Sequence, residues 1–298
     1  MRIGIDLGGS KIEGAVMDED SSILQRLRIP TPADDYPATI AAIRDLVRQL
    51  ELRAGRNQLS VGVGTPGSVS PASGLMKGCN STCLNGQPLR EDLEIALGRA
   101  IRMANDADCL ALSETMDGAA QGARSVFGVI LGTGVGGGIV INGQLLAGAN
   151  AIAGEWGHNP LPWPHSRELP GPRCWCGQHS CIESWLSGPA LSRDYLAHTD
   201  KNHSPEQIVQ GLEQDEPAAT AVFERYENRL ARALASVINL LDPEVIVLGG
   251  GLSNIPRLYA RVPELWSDYA FSDRVDTQLL QARHGDSSGV RGAAWLWD

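Results

Sequence analysis

No run of 18 apolar residues occurs in the 298-residue chain, so nothing in it reads as a membrane-spanning helix. Met1 to Leu7 is a short apolar strand, with neither the long apolar region nor the cleavage site of a signal peptide. A cytoplasmic setting without a membrane partner is expected. Basic charge is scarce: 25 Lys and Arg stand against 35 Asp and Glu, for a formal net charge of −10 and a pI of about 5.1. That balance disfavours a nucleic-acid surface. An anionic ligand such as ATP would need local help from glycine-rich backbone, a lysine or Mg²⁺. Cysteine is also sparse, with six in all. That is too few for a disulfide scaffold in a chain able to build a sizeable core. No low-complexity linker separates one half from the other.

Residues 154–183 are the stretch around which the rest is organised. They carry Glu155, His158, Cys174, Cys176, Cys181 and Glu183. Zn²⁺ takes four soft or borderline ligands at tetrahedral corners, and His158, Cys174, Cys176 and Cys181 fill all four. Gly177 lets the cysteine turn bend. The spacing is not that of a common zinc finger. A metal that fixes this loop also fixes Glu155 and Glu183. Cys79, Cys83 and Cys109 lie outside the cluster and are expected to be buried thiols.

Taken in order, the chain predicts strands at 3–7, 12–17, 23–29, 59–63, 100–104, 125–131, 139–141, 144–146 and 245–248. Helices are predicted over 37–52, 89–97, 107–119, 218–241 and 287–297, with Asp286, Ser287 and Ser288 as cap candidates for the last. Residues 77–88 read as loop. Laid over each other, Gly4 to Gly8 agree with Gly128 to Gly132, and Gly14 to Asp18 with Gly138 to Asn142. The same strand, glycine turn and strand open both halves, which implies an internal duplication of an α/β domain.

Three glycine turns follow strands, at Gly8 and Gly9, Gly132 to Gly138, and Gly249 to Gly251. Backbone N–H groups in such turns converge on phosphate oxygens; a tight hairpin is the competing reading. Two familiar fingerprints fail. In Gly4 to Lys11 the serine precedes the lysine, and a strand follows where a P-loop opens a helix. Gly132-x-Gly134-x-x-Gly137 also leads into a strand, whereas the dinucleotide fingerprint opens a helix. Asp106, where a strand gives way to a helix, is the candidate general base; a helix N-cap is the alternative. Asn80 and Asn105 are candidates for hydroxyl contacts. Asp6, a carboxylate among apolar neighbours, is costly to bury in isolation and is a candidate for ordering Mg²⁺.

Together these motifs resemble the ROK family of sugar kinases and repressors. The likeness rests on Asp6-Leu7-Gly8-Gly9-Ser10-Lys11, Asn105-Asp106-Ala107, the Gly132 to Gly138 turn, Gly154-Glu155-x-Gly157-His158 and Cys174-x-Cys176-Gly177-x-x-x-Cys181-x-Glu183, and it spans essentially the whole chain. Residues 81–88, 153–163 and 284–297 are similar to bacterial fructokinases of the mannofructokinase type. The resemblance implies an α/β, actin-like ATPase fold: two duplicated ribonuclease-H-like domains around a cleft that takes ATP and sugar. It implies a small domain of 1–117 with 288–298 returning to it, and a large domain of 118–287 carrying the zinc loop. Gly4, Ile5, Asp6, Leu7, Gly8, Gly9, Ser10 and Lys11 would line the ATP phosphates. Thr133, Gly134, Val135, Gly136, Gly137, Gly138, Ile139 and Val140 would do so too, with Gly249 and Gly250 also on the nucleotide. Asp106 would take a proton from the sugar, and Asn80, Asn105, Glu155, His158 and Glu183 would contact its hydroxyls. The expected reaction is ATP- and Mg²⁺-dependent phosphorylation of D-fructose to fructose 6-phosphate, by a homodimer. Glucose, mannose or N-acetylglucosamine are alternative substrates. A non-catalytic sugar sensor is the rival class, against which Asp106 and the intact glycine turns argue. The chain departs from the family pattern at Ser10 (usually Thr), Cys83 (often Trp) and Ser180 (usually Gly), and the turn at Ser180 is expected to take another conformation. No helix-turn-helix of the kind the family's repressors carry is expected.

Overall fold

The computed structural model describes residues 1–297. Asp298, the end of the expected small domain, lies outside the described residues, as does the side chain of Asp286, one of the cap candidates. In chain order the elements are β1 (Arg2–Leu7), β2 (Lys11–Met17), β3 (Ile23–Pro30), α1 (Tyr36–Ala54), β4 (Ser60–Thr65), β5 (Ser68–Val69), β6 (Met76–Lys77), α2 (Leu89–Leu97), β7 (Ile101–Asn105) and α3 (Asp106–Met116). There follow β8 (Ser125–Leu131), β9 (Val135–Ile141), β10 (Gln144–Leu145), α4 (Glu183–Leu186), α5 (Gly188–Thr199), α6 (Pro205–Glu213), α7 (Pro217–Leu241), β11 (Val245–Gly249), α8 (Arg257–Trp266), β12 (Gln278–Gln281) and α9 (Ser288–Trp295). None of the described helices is long and apolar enough to cross a membrane.

Two five-stranded sheets share one plan. The first runs β3-β2-β1-β4-β7 and the second β10-β9-β8-β11-β12. β1 pairs antiparallel with β2 and parallel with β4, and β4 is parallel to β7. In the second sheet β11 is parallel to both β8 and β12. The repeat legible in the sequence is thus a repeat of topology. Compactness divides the chain into one unit of 1–122, 138–153 and 283 onward, and another of 123–137 with 154–282. The expected boundaries put 138–153 in the second domain; here it belongs to the first.

Alternation along β1 explains the first unit. Ile3, Ile5 and Leu7 are buried with Ile43, Leu46, Val47 and Leu50 of α1 in one apolar cluster. The intervening positions are Gly4 and Asp6. A Cβ on Gly4 would lie 1.9 Å from the carbonyl oxygen of Val290, and one on its register partner Gly62 would lie 1.8 Å from that of Ala293. Bare backbone at these two sites is what lets α9 lie directly on the sheet. Gly4, Ile5 and Leu7 are therefore core residues, and a phosphate cannot reach them. Asp6 is not isolated: its carboxylate Oδ2 would be 3.0 Å from a Cβ on Gly289, in the first turn of α9. The positive end of the helix dipole favours a negative charge there.

In the second unit, α7 buries Val222, Phe223, Tyr226, Leu230, Leu234, Val237 and Ile238 of the stripe its sequence period predicts, while Leu241, the last of that stripe, is only half-buried. Asp242 closes it in the left-handed conformation. Helices α5, α6 and α8 and strand β12 lie in stretches where the sequence reading placed no element.

Candidate active site and metal centre

Because β1, β4 and β7 are parallel neighbours, Leu7, Thr65 and Asn105 leave the first sheet at the same edge. Carboxyl ends of strands in an open α/β sheet are where ligands bind. The first glycine turn starts at that edge. It is closed by the Gly8 N–H donating to Lys11 O at 3.0 Å, and the Thr31 hydroxyl donates to Gly8 O at 2.7 Å. A strand follows it, so it is a hairpin and not a P-loop. Gly9, Ser10 and Lys11 are exposed. A Cβ on Gly9 would stand 3.4 Å from Ser81 Oγ, and one on Gly67 only 2.7 Å from Cys79 Sγ. The exposed Asn80 lies between these two contacts, on the same edge. The 77–88 loop is not wholly irregular: β6 pairs with β5, and the Asn85 carboxamide closes it by hydrogen bonds with both the N–H and the carbonyl of Cys79.

Asp106 is the first residue of α3. The N-cap is Asn105, whose side-chain oxygen accepts from the Ala107 N–H at 2.8 Å. The capping alternative for Asp106 thus falls to its neighbour, although Asp106 Oδ1 also accepts from that N–H, at 2.8 Å. Burial pushes the Cys109 thiol well above its ordinary pKa, and the charges of Asp108, Asp6 and Asp106 push it further. Three carboxylates thus gather around one buried sulfur. Gly138 reaches the same place: a Cβ there would meet Ala107 O at 2.6 Å. Ile139 is only half-buried, but Val140 is fully buried and paired with Leu145, so Val140 is structural and lines no phosphate site. Cys79 and Cys109 are buried as expected, while Cys83 is half-exposed because it packs on the rim of the core.

In the second unit the other two glycine turns are neighbours. Gly250 sits at φ 82°, where a Cβ would lie 2.5 Å from Leu131 O; Gly249 is buried at the end of β11. Gly132, Thr133 and Gly251 line one cavity of about 640 Å³ together with Gly188, Pro189, Pro205, Val209, Gln210 and Ile255. The far wall, from α5 and α6, was not anticipated. Within the turn, the Gly132 N–H donates to Gly134 O, and the Val135 N–H donates to Glu183 Oε2 at 3.0 Å. The Val135 amide is therefore committed to a carboxylate and cannot also face a phosphate. The Trp156 indole N–H donates to Gly136 O at 3.0 Å. Glu155 is exposed, at the start of the turn that carries His158. Glu183 also accepts from the Trp175 indole N–H, at 2.6 Å. An ionised carboxylate offers about four lone-pair sites, so hydroxyls can still reach it.

The ligand atoms of His158, Cys174, Cys176 and Cys181 all lie within 4.8 Å of one another. Cys174 Sγ is 3.6 Å from His158 Nδ1, and Cys176 Sγ is 3.6 Å from Cys181 Sγ. Around a tetrahedral Zn²⁺, with bonds of about 2.3 Å to sulfur and about 2.0 Å to nitrogen, neighbouring donors fall roughly 3.4–3.8 Å apart. The four residues fit a closed Cys₃His set. Burial pushes the Cys181 thiol up to about 12 and raises Cys174, whereas the Gln178 backbone N–H lowers Cys176. A divalent cation among the sulfurs reverses such burial costs by favouring thiolate. Ser180 holds φ 61°, a left-handed value that favours glycine. The turn is kept, not rebuilt as expected, and the Trp185 indole N–H donates to Ser180 Oγ at 3.1 Å.

The sequence pattern of the ROK family matches residues 2–298. An N-acetyl-D-glucosamine kinase of Yersinia pseudotuberculosis is 38% identical over 300 residues, covering 99% of this chain and 98% of its own length. One from Escherichia coli O127:H6 is also 38% identical, covering 99% of each. Among solved structures, the ROK hexokinase from Thermus thermophilus has 32% identity and a TM-score of 0.87, covering 99% of this chain and 96% of its own. The ROK family glucokinase from Streptomyces griseus, in complex with glucose and AMPPNP, has 28% identity and a TM-score of 0.82, covering 99% and 98%. The fold is that of the actin-like ATPases, in two duplicated α/β units.

Proposed function

The chain belongs to the ROK family, and from that premise we propose that it is an ATP-dependent hexose kinase, with D-fructose as the preferred acceptor on the likeness of residues 81–88 to fructokinases. The observation that carries the catalytic part is the gathering at one edge of the first sheet. There the hairpin of Gly8 and Gly9 follows β1 and Asp106 follows β7, the Asn80 loop stands beside Gly9 through Ser81, and Asn105 takes over the helix cap. Asp106 accepts the proton of the sugar hydroxyl as that oxygen attacks the γ-phosphorus and the bond to the ADP oxygen breaks. In the first unit Asn80 and Asn105 are contacts for sugar hydroxyls; in the second, Glu155, His158 and Glu183 are. In the first unit Gly8, Gly9, Ser10 and Lys11 are nucleotide contacts; in the second, Gly132, Thr133, Gly134, Gly136, Gly137 and Gly250 are. Asp6 would order Mg²⁺, which when bound would supply charge neutralisation on the phosphates. His158, Cys174, Cys176 and Cys181 would hold Zn²⁺ with four protein ligands, which would make its role structural.

An ADP-release assay tests this directly. Asp106→Asn is expected to lower turnover by about 10²–10⁴-fold, the usual worth of a general base, with sugar affinity nearly unchanged. Undiminished turnover would refute the base role. Fructose is favoured by the likeness of residues 81–88 to fructokinases, and N-acetyl-D-glucosamine by the 38% identity to kinases of that sugar. Ranking kcat/KM over fructose, glucose, mannose and N-acetyl-D-glucosamine in the same assay separates the two.

A further inference from the structure

We propose that the Cys₃His site positions the glycine turn at 132–137, so that metal and nucleotide each raise the other's affinity, with Trp175 and Glu183 as the positioning residues. The inference rests on the kinase reading, in which that turn holds nucleotide. It goes beyond it by giving the metal loop a role toward the nucleotide as well as the sugar.

Four contacts join the metal loop to the turn, and each is backbone-specific. A Cβ on Gly157, the residue beside the ligand His158, would lie 2.3 Å from Val135 O, so these two backbones touch. A Cβ on Gly137 would lie 2.5 Å from Gly154 O. The Trp156 indole N–H reaches Gly136 O. Glu183 completes the set: Oε2 accepts from the Val135 N–H, and Oε1 accepts at 2.6 Å from the indole N–H of Trp175, which lies between the ligands Cys174 and Cys176. Trp175 also stands edge-on to His158, with ring centroids 5.0 Å apart and planes at 85°. Its ring is exposed, so packing does little to hold it; the loop and the two polar contacts do.

Charge gives the coupling its sign. Gly134 is bare where a Cβ would lie 2.7 Å from Glu183 Oε2, so the carboxylate lies against the turn itself. A phosphate arriving at this turn would meet that negative charge at close range. Two N–H donors fix the carboxylate and spread its charge. When the metal orders the loop, Trp175 supplies one of those donors and Glu183 is drawn toward it. When the loop is slack, Glu183 loses that donor, and the turn loses its fixed backing at Gly157. Ordering a turn before the ligand arrives removes an entropic cost of binding. Linkage then requires that nucleotide tighten metal by the same factor.

The test is calorimetric titration of AMP-PNP with Mg²⁺, without sugar, into metal-loaded protein and into protein stripped by a chelator and dialysed. Stripping is expected to weaken nucleotide binding about tenfold, within the five- to 150-fold range usual for coupled sites. Competition against a chromophoric chelator should show nucleotide tightening metal by the same factor. Trp175→Phe keeps the ring and all four metal ligands but removes the N–H. It is expected to keep a full metal complement, bind AMP-PNP several-fold more weakly in the absence of sugar, and raise KM for ATP. Equal affinities for the loaded and the stripped, folded chain would overturn the coupling alone. Should stripping unfold the chain, a metal-replete Trp175→Phe protein with unaltered nucleotide affinity would overturn it. Absence of nucleotide binding in every form would overturn the kinase reading, and the coupling with it.

Discussion

The hairpin turn after β1 and the turn after β8 begin from the same motif, a strand running into glycines, and occupy matching places in two sheets of one plan. They are held by different means. The first is closed by its own backbone, from Gly8 to Lys11, and steadied by Thr31 at the end of the adjoining strand. Nothing tighter than a 3.4 Å approach would meet a side chain on Gly9. The second turn is clasped from outside, by Glu183, Trp156, Gly157 and the Gly188 N–H, which donates to Gly132 O at 2.8 Å. A local hairpin is specified by the residues within it. A clasped turn is specified by residues 20 or more positions away, and it inherits their state of order.

The largest expected effect sets one turn directly against the other. Gly157→Ala puts a Cβ 2.3 Å from a backbone oxygen, and neither partner can swing aside. Overpacking of this kind costs about 1–3 kcal/mol or more. Gly9→Ala places its Cβ against the end of a serine side chain, and a surface change of that sort stays within about 0.5 kcal/mol. Thermal unfolding of the metal-loaded chain reads both, at roughly 2–4 °C per kcal/mol for a unit of this size. Equal losses from the two would break the comparison.

A middle-sized effect sharpens it. Trp156→Phe keeps the ring edge-on to Phe127, whose centroid is 5.5 Å away, but leaves Gly136 O without the indole N–H. A buried acceptor left stranded costs about 1–3 kcal/mol, and this half-buried one falls at the lower end. Thr31→Val removes the hydroxyl that Gly8 O accepts from, but the Thr31 backbone N–H still donates to Ser10 O, so about 1 kcal/mol or less is lost. Amide hydrogen exchange should quicken across residues 134–137 in the first variant and change little across 8–11 in the second. The reverse order would mean that the clasp is decorative.

The same contrast explains what was legible in the sequence. The frame was readable because its signals are local: alternation in β1 to β3, the 3.6-residue stripe of α7, and a repeated strand, turn and strand. The clustering of His158, Cys174, Cys176 and Cys181 was readable from residue type and spacing. The clasp was not, because the partnership of Glu183 with Val135 and Trp175 exists only after folding. The phosphate-lining assignment of Gly4 failed for a related reason. A glycine bare for a ligand and a glycine bare for a helix look alike, and only α9 lying 1.9 Å from the would-be Cβ decides between them. Helices α5 and α6 did carry a local signal. Each opens with a serine cap and a proline in its first turn, and Ser204 with Gln207 forms a capping box. Their short, weakly apolar bodies hid it, and with them the far wall of the cavity. Strand β12 has four residues and α8 carries Pro263 inside it, so neither announces itself by period.

The smallest expected effect falls on the clasp's own anchor. Ser180 holds a left-handed φ of 61° immediately before the ligand Cys181. For a non-glycine residue that conformation costs about 1–2 kcal/mol. Ser180→Gly removes the cost but also removes the hydroxyl that accepts from the Trp185 indole N–H, a bond worth about 0.5–1.5 kcal/mol, and it adds backbone freedom to the unfolded chain. The two sides nearly cancel, so stability should move by less than about 1 kcal/mol in either direction. The side chain has a second duty, however. Ser180 Cβ stands 2.5 Å from where a Cβ on Gly171 would be, so the serine packs on a loop that is itself held at φ 81°. Trimming it opens a gap beside Gly171 while the ligand turn keeps its course. Metal affinity should therefore hold within about twofold while exchange at residues 171–173 rises. A large loss of metal affinity would show instead that Ser180, and not the four ligands alone, sets the geometry of the site on which the second turn depends.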